Sequence, residues 1–223
     1  VLETIALFDA VALLATEKWL DSHSTELPGN IADITVVKRA DIIEMSSLST
    51  PPDVIAIYRI PNTEMSRPVP SELVLALDRV QDPGNLGTIV RIASWMGIGD
   101  IYCSTDTVDL YNPKVVQATM GAIARVRVHY CDLPTLLAEA RRDGIPVYGT
   151  FLDGTDIYHS TLTPGGIIVM GNEGNGICAE VAREIDNRLL IPSFPPDAPC
   201  VESLNVSMAT AITTAEFRRR QYS

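Results

Sequence analysis

Cysteines and charged residues are both scarce in this sequence of 223 residues. The four cysteines, Cys103, Cys131, Cys178 and Cys200, lie far apart and form no C-x-x-C pair, which argues against a zinc site or a disulfide framework. No apolar run reaches the roughly 18 residues that a membrane-spanning helix needs. These absences favour a cytoplasmic protein with reduced thiols and no bound metal.

The beginning of the chain also lacks the features of a targeting signal. No basic stretch and no initiator methionine precede the apolar residues 1–14. We therefore expect this segment to be the interior of a folded module whose true N-terminus is missing. Hydrophobic residues make up 46% of the sequence and charged residues 20%, as in a globular protein with a packed core.

Positive charge is in short supply, because 17 Lys and Arg stand against 28 Asp and Glu and the formal net charge is -11. Nucleic-acid-binding proteins usually carry a basic surface. Net charge constrains solubility and long-range steering, however, and a local basic patch on an acidic body can still hold phosphates. The candidate patches, each more often a solvated surface when taken alone, are Arg79 with Arg91, Arg125 with Arg127, Arg141 with Arg142, and Arg218 to Arg220.

The proline-rich segment 61–70 predicts a linker between two parts of the chain. We place the domain boundary there, with a small α/β module over residues 1–68 and a larger domain over residues 69–223. The smaller part has apolar, strand-like runs at Ala12–Trp19, Ile34–Val37 and Val54–Ile60, and a helical stretch at Arg39–Ser46.

A regular alternation of strands and helices follows the linker. The predicted strands are Leu73–Leu77, Ile101–Cys103, Val126–Tyr130, Val147–Leu152, Ile167–Met170 and Leu189–Ile191. The predicted helices are Gly87–Met96, Lys114–Met120, Leu133–Arg142, Ala179–Ile185 and Asn205–Gln221. Strands that are apolar throughout and alternate with helices predict an α/β fold with a parallel sheet covered on both faces.

The first informative cluster is LDRVQDPGNLGTIVRIASWMGI, residues 77–98. A strand ends here, D-P-G-N makes a turn, and we expect Asn85 to cap the following helix. Gly87 permits a close approach to the first helical turn. Arg91 lies among apolar residues, where a cation needs a partner or must extend to solvent to offset its desolvation.

The second cluster is GGIIVMGNEGNGI, residues 165–177, in which a buried-type strand runs into a glycine-rich loop. Open α/β sheets bind ligands at such a strand end. The loop does not fit G-x-x-x-x-G-K-[ST], and it lies on the wrong side of a strand–helix unit for a dinucleotide fingerprint. An ordinary tight turn would also explain its glycines.

The third cluster is LLIPSFPPDAPCVESLNVSMATAI, residues 189–212. A strand ends at I-P, a proline-rich loop follows, and Ser203, Asn205 and Ser207 lie at the start of the last helix. The N–H groups of a helix start favour electron-rich partners. Capping explains one of these polar side chains, and the other two suggest a further role.

Taken together, the order N-x-G-x-x-x-R, a strand ending M-G-N-E-G, and I-P followed by E-S-L-N-V-S-M-A resembles the three motifs of the SpoU (TrmH-like) RNA methyltransferases over residues 72–217. The resemblance implies a knotted α/β domain of the SPOUT type, whose trefoil knot is built near Thr150–Leu152, Met170–Gly176 and Ile191–Asn205. It also implies that residues 1–68 form a substrate-binding module similar to ribosomal protein L30e.

The same resemblance implies the function and the site. The reaction is transfer of a methyl group from S-adenosylmethionine to a ribose 2′-hydroxyl in RNA, with ribosomal RNA favoured over transfer RNA, by a homodimer. The implied catalytic residues are Asn85, Arg91, Glu173, Ser203 and Asn205. The implied cofactor-binding residues are Gly171, Ile191 and Leu204, with Thr150, Leu152 and Asn172 as weaker candidates.

In the role that we expect, Arg91 holds the adjacent phosphate and stabilises the developing oxyanion, since an arginine keeps its proton in proteins. Glu173 and Asn85 are expected to orient its guanidinium, while Ser203 and Asn205 fix the loop and the substrate. One departure from the family pattern is the segment from Ser193 to Cys200, which is longer than the usual link and predicts a fixed surface excursion.

Two other functions remain open from the residues alone. The acidic composition and the altered loop at 193–200 are also typical of a non-catalytic RNA-binding or ribosome-assembly factor that kept the fold. The glycine-rich loop at 171–176 would by itself permit a nicotinamide-dependent oxidoreductase, although no matching acidic ribose ligand is evident.

Overall fold

A computed structural model describes residues 1–62, 64–195 and 203–222. The chain divides into two compact units, Val1–Glu64 and Met65–Ser223. No helix in the part of the chain that the structure describes has the length and apolarity needed to cross a membrane.

The smaller unit is built on a three-stranded mixed sheet in which β1 is central, parallel to β2 and antiparallel to β3. Its strands are β1 (Ala10–Ala15), β2 (Asp33–Val36) and β3 (Val54–Tyr58), and its helices are α1 (Leu2–Ile5), α2 (Glu17–His23) and α3 (Arg39–Met45), with a 3-10 turn at Ser24–Glu26. Its core centres on Ile5, Leu13, Ala15 and Val54.

The strand predicted over Ala12–Trp19 is wrong in its second half. The strand ends at Ala15 because Thr16 caps α2, accepting a hydrogen bond from the N–H of Trp19 at 3.3 Å. The polar residues Thr16, Glu17 and Lys18 mark the point where the strand gives way to the helix.

The larger unit is a six-stranded sheet in the order β6-β5-β4-β8-β7-β9, and all its strand pairs are parallel. Its strands are β4 (Leu73–Leu77), β5 (Asp100–Ser104), β6 (Arg127–Cys131), β7 (Val147–Asp156), β8 (Gly166–Met170) and β9 (Asn187–Leu190). Its helices are α4 (Pro83–Trp95), α5 (Pro113–Thr119), α6 (Leu133–Arg142), α7 (Ala179–Ala182) and α8 (Val206–Arg219), with a 3-10 turn at Ala122–Ala124. The predicted α/β fold with a parallel sheet is confirmed.

Every residue of the central strands β4 and β8 is buried, as expected of a sheet covered on both faces. One cluster of the core places Val74, Tyr102 and Val169 of the sheet against Leu133 and Leu137 of α6. The carboxyl ends of β4 and β8 therefore lie side by side in the well-packed centre of the sheet.

The start of α4 differs from the prediction. Asp82, not Asn85, is the N-cap: its carboxylate accepts the N–H of Asn85 at 2.8 Å, and Pro83 occupies the first helical position, where its missing N–H costs nothing. Asn85 consequently lies inside the first turn, and its side chain is free for other contacts.

Gly87 allows a close approach, and the element that approaches is α5. A Cβ added at Gly87 would lie 2.4 Å from the Cβ of Ala118 and 2.8 Å from the carbonyl oxygen of Val115. The absence of a side chain at residue 87 thus sets the separation of α4 and α5.

We predict that Gly87→Ala destabilises the protein by about 1–3 kcal/mol through overpacking, although alanine is the better helix former. Urea unfolding measures this change. Gly99→Ala is the control, because a Cβ there meets only the Arg127 guanidinium at 3.6 Å. Equal stabilities of the two variants would contradict the close packing of the helices.

At the amino ends of β5 and β6, the carboxylate of Asp100 is buried and surrounded by hydrogen-bonding groups. Arg127 donates to its two oxygens at 2.8 and 2.5 Å, Ser66 Oγ donates at 3.1 Å, and His129 Nε2 lies 2.7 Å from Oδ1. Burial raises the pKa of Asp100, but the hydrogen bonds from Arg127 and His129 outweigh it, so the pKa lies below its ordinary value of 3.8.

A lowered pKa means that the ionised carboxylate stabilises the fold above about pH 4 and that this contribution is lost as the pH falls through the folded-state pKa. We predict that Asp100→Asn costs about 3 kcal/mol at pH 7, because it removes the buried carboxylate that pairs with the Arg127 guanidinium and bonds the buried His129 ring. The difference from the parent should shrink in unfolding measurements at pH 3.5. Asp106→Asn, at an exposed carboxylate, should have no such effect.

Candidate functional site

The carboxyl ends of β4 and β8 are tied together directly after the strands. The N–H of Asp78 donates to the carbonyl of Met170 at 2.9 Å, and the buried carboxylate of Asp78 accepts the N–H of Cys178 at 2.6 Å. Arg79 pairs with the same carboxylate at 3.2 Å and adopts a left-handed backbone with φ 57°. Sequence reasoning missed the role of Asp78, whose only signal was an acidic residue at the end of an apolar strand.

The glycine-rich loop that follows β8 is closed by Asn172. Two backbone hydrogen bonds of 3.0 Å join Asn172 and Gly176, and the Asn172 side-chain oxygen accepts the N–H groups of Gly174 and Asn175, both at 3.0 Å. Its amide nitrogen donates to the carbonyl of Arg79 at 2.7 Å. The Asn172 side chain is thus occupied within the protein.

Gly171 is required by the closeness of two backbone segments. A Cβ at this position would lie 2.4 Å from the carbonyl carbon of Gly176 and 2.5 Å from the nitrogen of Ile177. The main chain at the end of β8 therefore packs against main chain, with no side chain between.

Three of the five predicted catalytic residues lie together, from three separate segments. Asn205 Nδ2 donates to Asn85 Oδ1 at 2.9 Å, and Asn85 Nδ2 donates to Glu173 Oε1 at 2.9 Å. Asn205 Oδ1 caps α8 by accepting the N–H of Ser207 at 3.0 Å and of Met208 at 3.4 Å. We call Asn205, Asn85 and Glu173 the amide relay.

The direction of the amide relay is fixed by the helix. Because the N–H groups of α8 hold the oxygen of Asn205, its nitrogen faces Asn85, which must present its own oxygen in return. The nitrogen of Asn85 is then left to face Glu173, whose carboxylate also lies 3.4 Å from Asn172 Nδ2. The half-buried carboxylate of Glu173 thus accepts hydrogen bonds from the side chains of both Asn85 and Asn172.

Arg91 and Ser203 do not join this cluster within the chain. The expected contacts of Arg91 with Glu173 and Asn85 are not formed: Arg91 is exposed, and its guanidinium bonds no residue that the structure describes. Six residues along α4 place it about 9 Å beyond Asn85 along the helix axis, and part of the way round the helix. Ser203 is exposed and likewise unbonded to the described residues.

The predicted cofactor residues Thr150 and Leu152, which lie within β7, differ in exposure. Thr150 is half-buried and lies 3.8 Å from Met170 Sδ, whereas the side chain of Leu152 is 74% exposed. Ile191 directly follows β9, and Leu204 directly precedes the start of α8. Among the bonds to described residues, none involves the N–H or the carbonyl of Ile191 or Leu204.

Most of the arginine patches are engaged in bonds within the protein. Internal partners are Asp78 for Arg79, Asp100 for Arg127, Glu184 and Asp186 for Arg141, Glu139 for Arg142, the carbonyls of Met96 and Gly97 for Arg218, and Glu216 for Arg219 and Arg220. The hydrogen bond from Arg219, followed by that from Arg220, lowers the pKa of Glu216 to about 2 despite its burial. Of the predicted patches, Arg91 and Arg125 are the arginines whose guanidinium groups bond no described residue.

The surface excursion predicted from Ser193 to Cys200 lies mainly outside the described residues, which stop at residue 195 and resume at 203. Within the described ranges, no group of three or more His, Cys, Asp or Glu side chains is arranged to hold a metal ion. The described cysteines Cys103, Cys131 and Cys178 are free thiols.

Comparison with known proteins assigns the family. The model of the SpoU rRNA Methylase family matches residues 72–215, the span from β4 to the first ten residues of α8, which includes the amide relay. The chain belongs to the SpoU family. The resemblance of the three motifs is therefore confirmed.

The SpoU protein has curated relatives of similar sequence. It is 33% identical over 184 residues to a Synechocystis protein named as a tRNA/rRNA methyltransferase, covering 82% of this chain and 66% of the relative. It is 30% identical over 175 residues to the 23S rRNA (guanosine(2553)-2′-O)-methyltransferase of Bacillus subtilis, covering 78% of this chain and 68% of the relative. The chain thus spans about two thirds of the length of these relatives.

Solved structures agree with the fold of this SpoU protein. A Porphyromonas gingivalis protein assigned to the TrmH family of RNA methyltransferases superimposes with a TM-score of 0.87 at 41% identity, over 98% of this chain and 86% of that one. The AdoMet-bound rRNA methyltransferase of Sinorhizobium meliloti superimposes with a TM-score of 0.82 at 28% identity, over 97% and 82%.

We predict that Asn205→Ala lowers the stability of the SpoU protein by about 1 kcal/mol, because it removes the cap of α8. Asn205→Ser is the matched variant, since serine keeps the capping oxygen while losing the bond to Asn85. Urea unfolding should place the Ser variant near the parent and the Ala variant below it. An equal loss in both would show that the bond to Asn85, not the cap, holds the helix start.

Proposed function

We propose that the chain methylates a ribose 2′-hydroxyl in RNA, with S-adenosylmethionine as the methyl donor and ribosomal RNA as the substrate class. The observation that carries this proposal is the amide relay, which brings residues of all three family motifs together at one edge of a parallel sheet. The Bacillus subtilis relative is named for 2′-O-methylation of 23S rRNA, and the Sinorhizobium meliloti structure holds AdoMet.

The residues around the loop ends fit an uncharged adenine base. The main-chain groups of Ile191 and Leu204, which bond no described residue, supply donors and acceptors, and Gly171 contributes backbone without a side chain. Thr150 and Leu152 lie within β7, where Thr150 pairs with Leu189 of β9, and Asn172 shapes the loop rather than offering its side chain. When bound, S-adenosylmethionine supplies an electrophilic methyl group on a positively charged sulfur.

The polar residues act on the nucleophile. Arg91, which is exposed and bonds none of the described residues, holds the phosphate next to the target ribose and stabilises the negative charge that develops on the 2′-oxygen. The proton leaves the 2′-hydroxyl for an oxygen of that phosphate, because arginine itself stays protonated. The amide relay and Ser203 position the loop and the ribose, and this proximity supplies part of the acceleration.

The family's trefoil knot belongs to the same proposal. It is supported by the way β7 wraps round β9, since Leu189 pairs with both Thr150 and Thr155 and a Cβ at Gly154 would lie 2.5 Å from the carbonyl carbon of Leu189. We likewise propose that the unit Val1–Glu64 is an L30e-like module that binds the RNA substrate, in keeping with its small mixed sheet.

We further propose a cytoplasmic homodimer in which α4 and α8 form the contact. The two helices run side by side in the same direction, because Asn205 bonds Asn85 at their starts and Arg218 bonds the carbonyl of Met96 at their ends. Trp95 on α4 is 88% exposed and Met208 on α8 is 59% exposed, which leaves apolar surface for a partner. Analytical ultracentrifugation tests the dimer.

We predict that Arg91→Ala lowers the rate of methyl transfer to rRNA by at least about 100-fold, because it removes charge stabilisation that is used in the transition state. Incorporation of labelled methyl groups, followed by nuclease digestion and mass spectrometry of 2′-O-methyl nucleosides, measures the rate. Calorimetry should show that S-adenosylmethionine binding is unchanged.

Arg125→Ala is the matched control for Arg91→Ala, because Arg125 is also exposed and bonds no residue in the described part of the chain. It should retain most of the activity. Full activity of the Arg91 variant would contradict the mechanism, and the absence of S-adenosylmethionine binding to the folded parent would favour the non-catalytic RNA-binding function.

A further inference from the structure

A second candidate binding site lies one strand away from the amide relay, at the carboxyl ends of β5 and β6. An open cavity of about 280 Å³ is lined there by Thr105, Thr107, Asp109 and Tyr130. These residues belong to none of the three family motifs. Their chemistry combines an aromatic ring, a carboxylate and hydroxyl groups.

The loop that forms this cavity is fastened to the segment leading to Asn85. Thr107 Oγ1 donates to the carbonyl of Leu77 at 3.3 Å, and the N–H of Val108 donates to the carbonyl of Val80 at 3.0 Å. Neighbouring strands are about 4.8 Å apart, so the cavity lies one to two strand spacings from the end of β4. A single nucleotide spans such a distance.

The ring of Tyr130 is a preorganised platform. Its hydroxyl donates to the carbonyl of Val108 at 2.6 Å and accepts the N–H of Leu110 at 2.7 Å, while the residue remains 38% exposed. Burial raises the pKa of Tyr130, so the hydroxyl keeps the proton that it donates. A ring fixed in this way offers a face for stacking at little further entropic cost.

The carboxylate of Asp109 gives the cavity its selectivity. Its Oδ1 accepts the N–H of Tyr111 at 2.9 Å, and its Oδ2 bonds no residue that the structure describes. A carboxylate repels phosphate but accepts paired N–H groups, and the Watson–Crick edge of guanine presents two of them, N1–H and N2–H. Adenine places an acceptor at N1 and is disfavoured there.

We infer that this cavity binds a guanine base of the RNA, stacked on Tyr130 and held through its Watson–Crick edge by Asp109. The inference rests on the proposed function only in taking RNA as the substrate. It assigns base recognition to the ends of β5 and β6, apart from the residues that act on the ribose. The free hydroxyl of Thr105 is a further polar contact at the rim.

The test is an NMR titration of the full chain with guanosine 5′-monophosphate and adenosine 5′-monophosphate, followed at the amides of residues 105–111. The guanine nucleotide should bind about tenfold more tightly, the size of one good edge contact. Asp109→Asn should abolish this preference, because its oxygen stays with Tyr111 and an N–H donor then faces the base. Tyr130→Leu should weaken both nucleotides, whereas Tyr130→Phe keeps the ring and should bind nearly as the parent does.

Asp106→Asn is the charge-matched control, since Asp106 is exposed on the same loop and does not line the cavity. An equal effect of the Asp106 and Asp109 variants, or no response of residues 105–111 to either nucleotide, would overturn the inference. Nucleotide binding is measured without methyl transfer, so a failed methylation assay with intact guanine preference rejects the enzyme proposal alone. Methylation without guanine binding at this cavity rejects the base site alone.

Discussion

The site depends on the side chain of Asn85, whose amide group can adopt only one of its two flipped orientations. Asn85 receives an N–H from Asn205 and gives one to Glu173, so a reversed amide would set donor against donor and oxygen against carboxylate. The capping of α8 therefore determines how Glu173 is held, although the two lie on separate segments. Around this relay, the packing of Gly171 against Gly176 and the bonds of Asp78 bring the strand ends close enough for the contacts to form.

Much of the fold can be predicted from local sequence patterns, and the predictions that are wrong have local causes. The strand Leu73–Leu77 and the helix Leu133–Arg142 were predicted with the bounds that the structure shows, because apolar periodicity and flanking polar residues agree there. The start of α4 was misplaced because Asp82 and Asn85 are both good capping residues and lie three positions apart. Only the position of the Asp82 carboxylate over the N–H of Asn85 decides between them.

The three residues of the amide relay could be named from the sequence, but the bonds between them could not. Family resemblance named Asn85, Glu173 and Asn205, yet the bond between residues 85 and 205 joins positions 120 apart, and no periodicity encodes such a contact. The expected contact of Arg91 with Glu173 is not formed among the described residues, because Arg91 lies six residues, about 1.7 helical turns, beyond Asn85 on α4. The arginine patches were ambiguous for a related reason, since their acidic partners lie elsewhere in the sequence.

Most of the patch arginines form ion pairs or hydrogen bonds within the protein, and this affects how RNA would bind. Each phosphate that a protein neutralises releases counterions, and the number released sets how steeply binding weakens as ionic strength rises. With Arg91 and Arg125 the patch arginines left unbonded in the described chain, and with a net charge of -11, few counterions would be displaced. The binding constant would then fall only gently as salt is added, and selection of the target would depend on stacking and hydrogen bonds at short range.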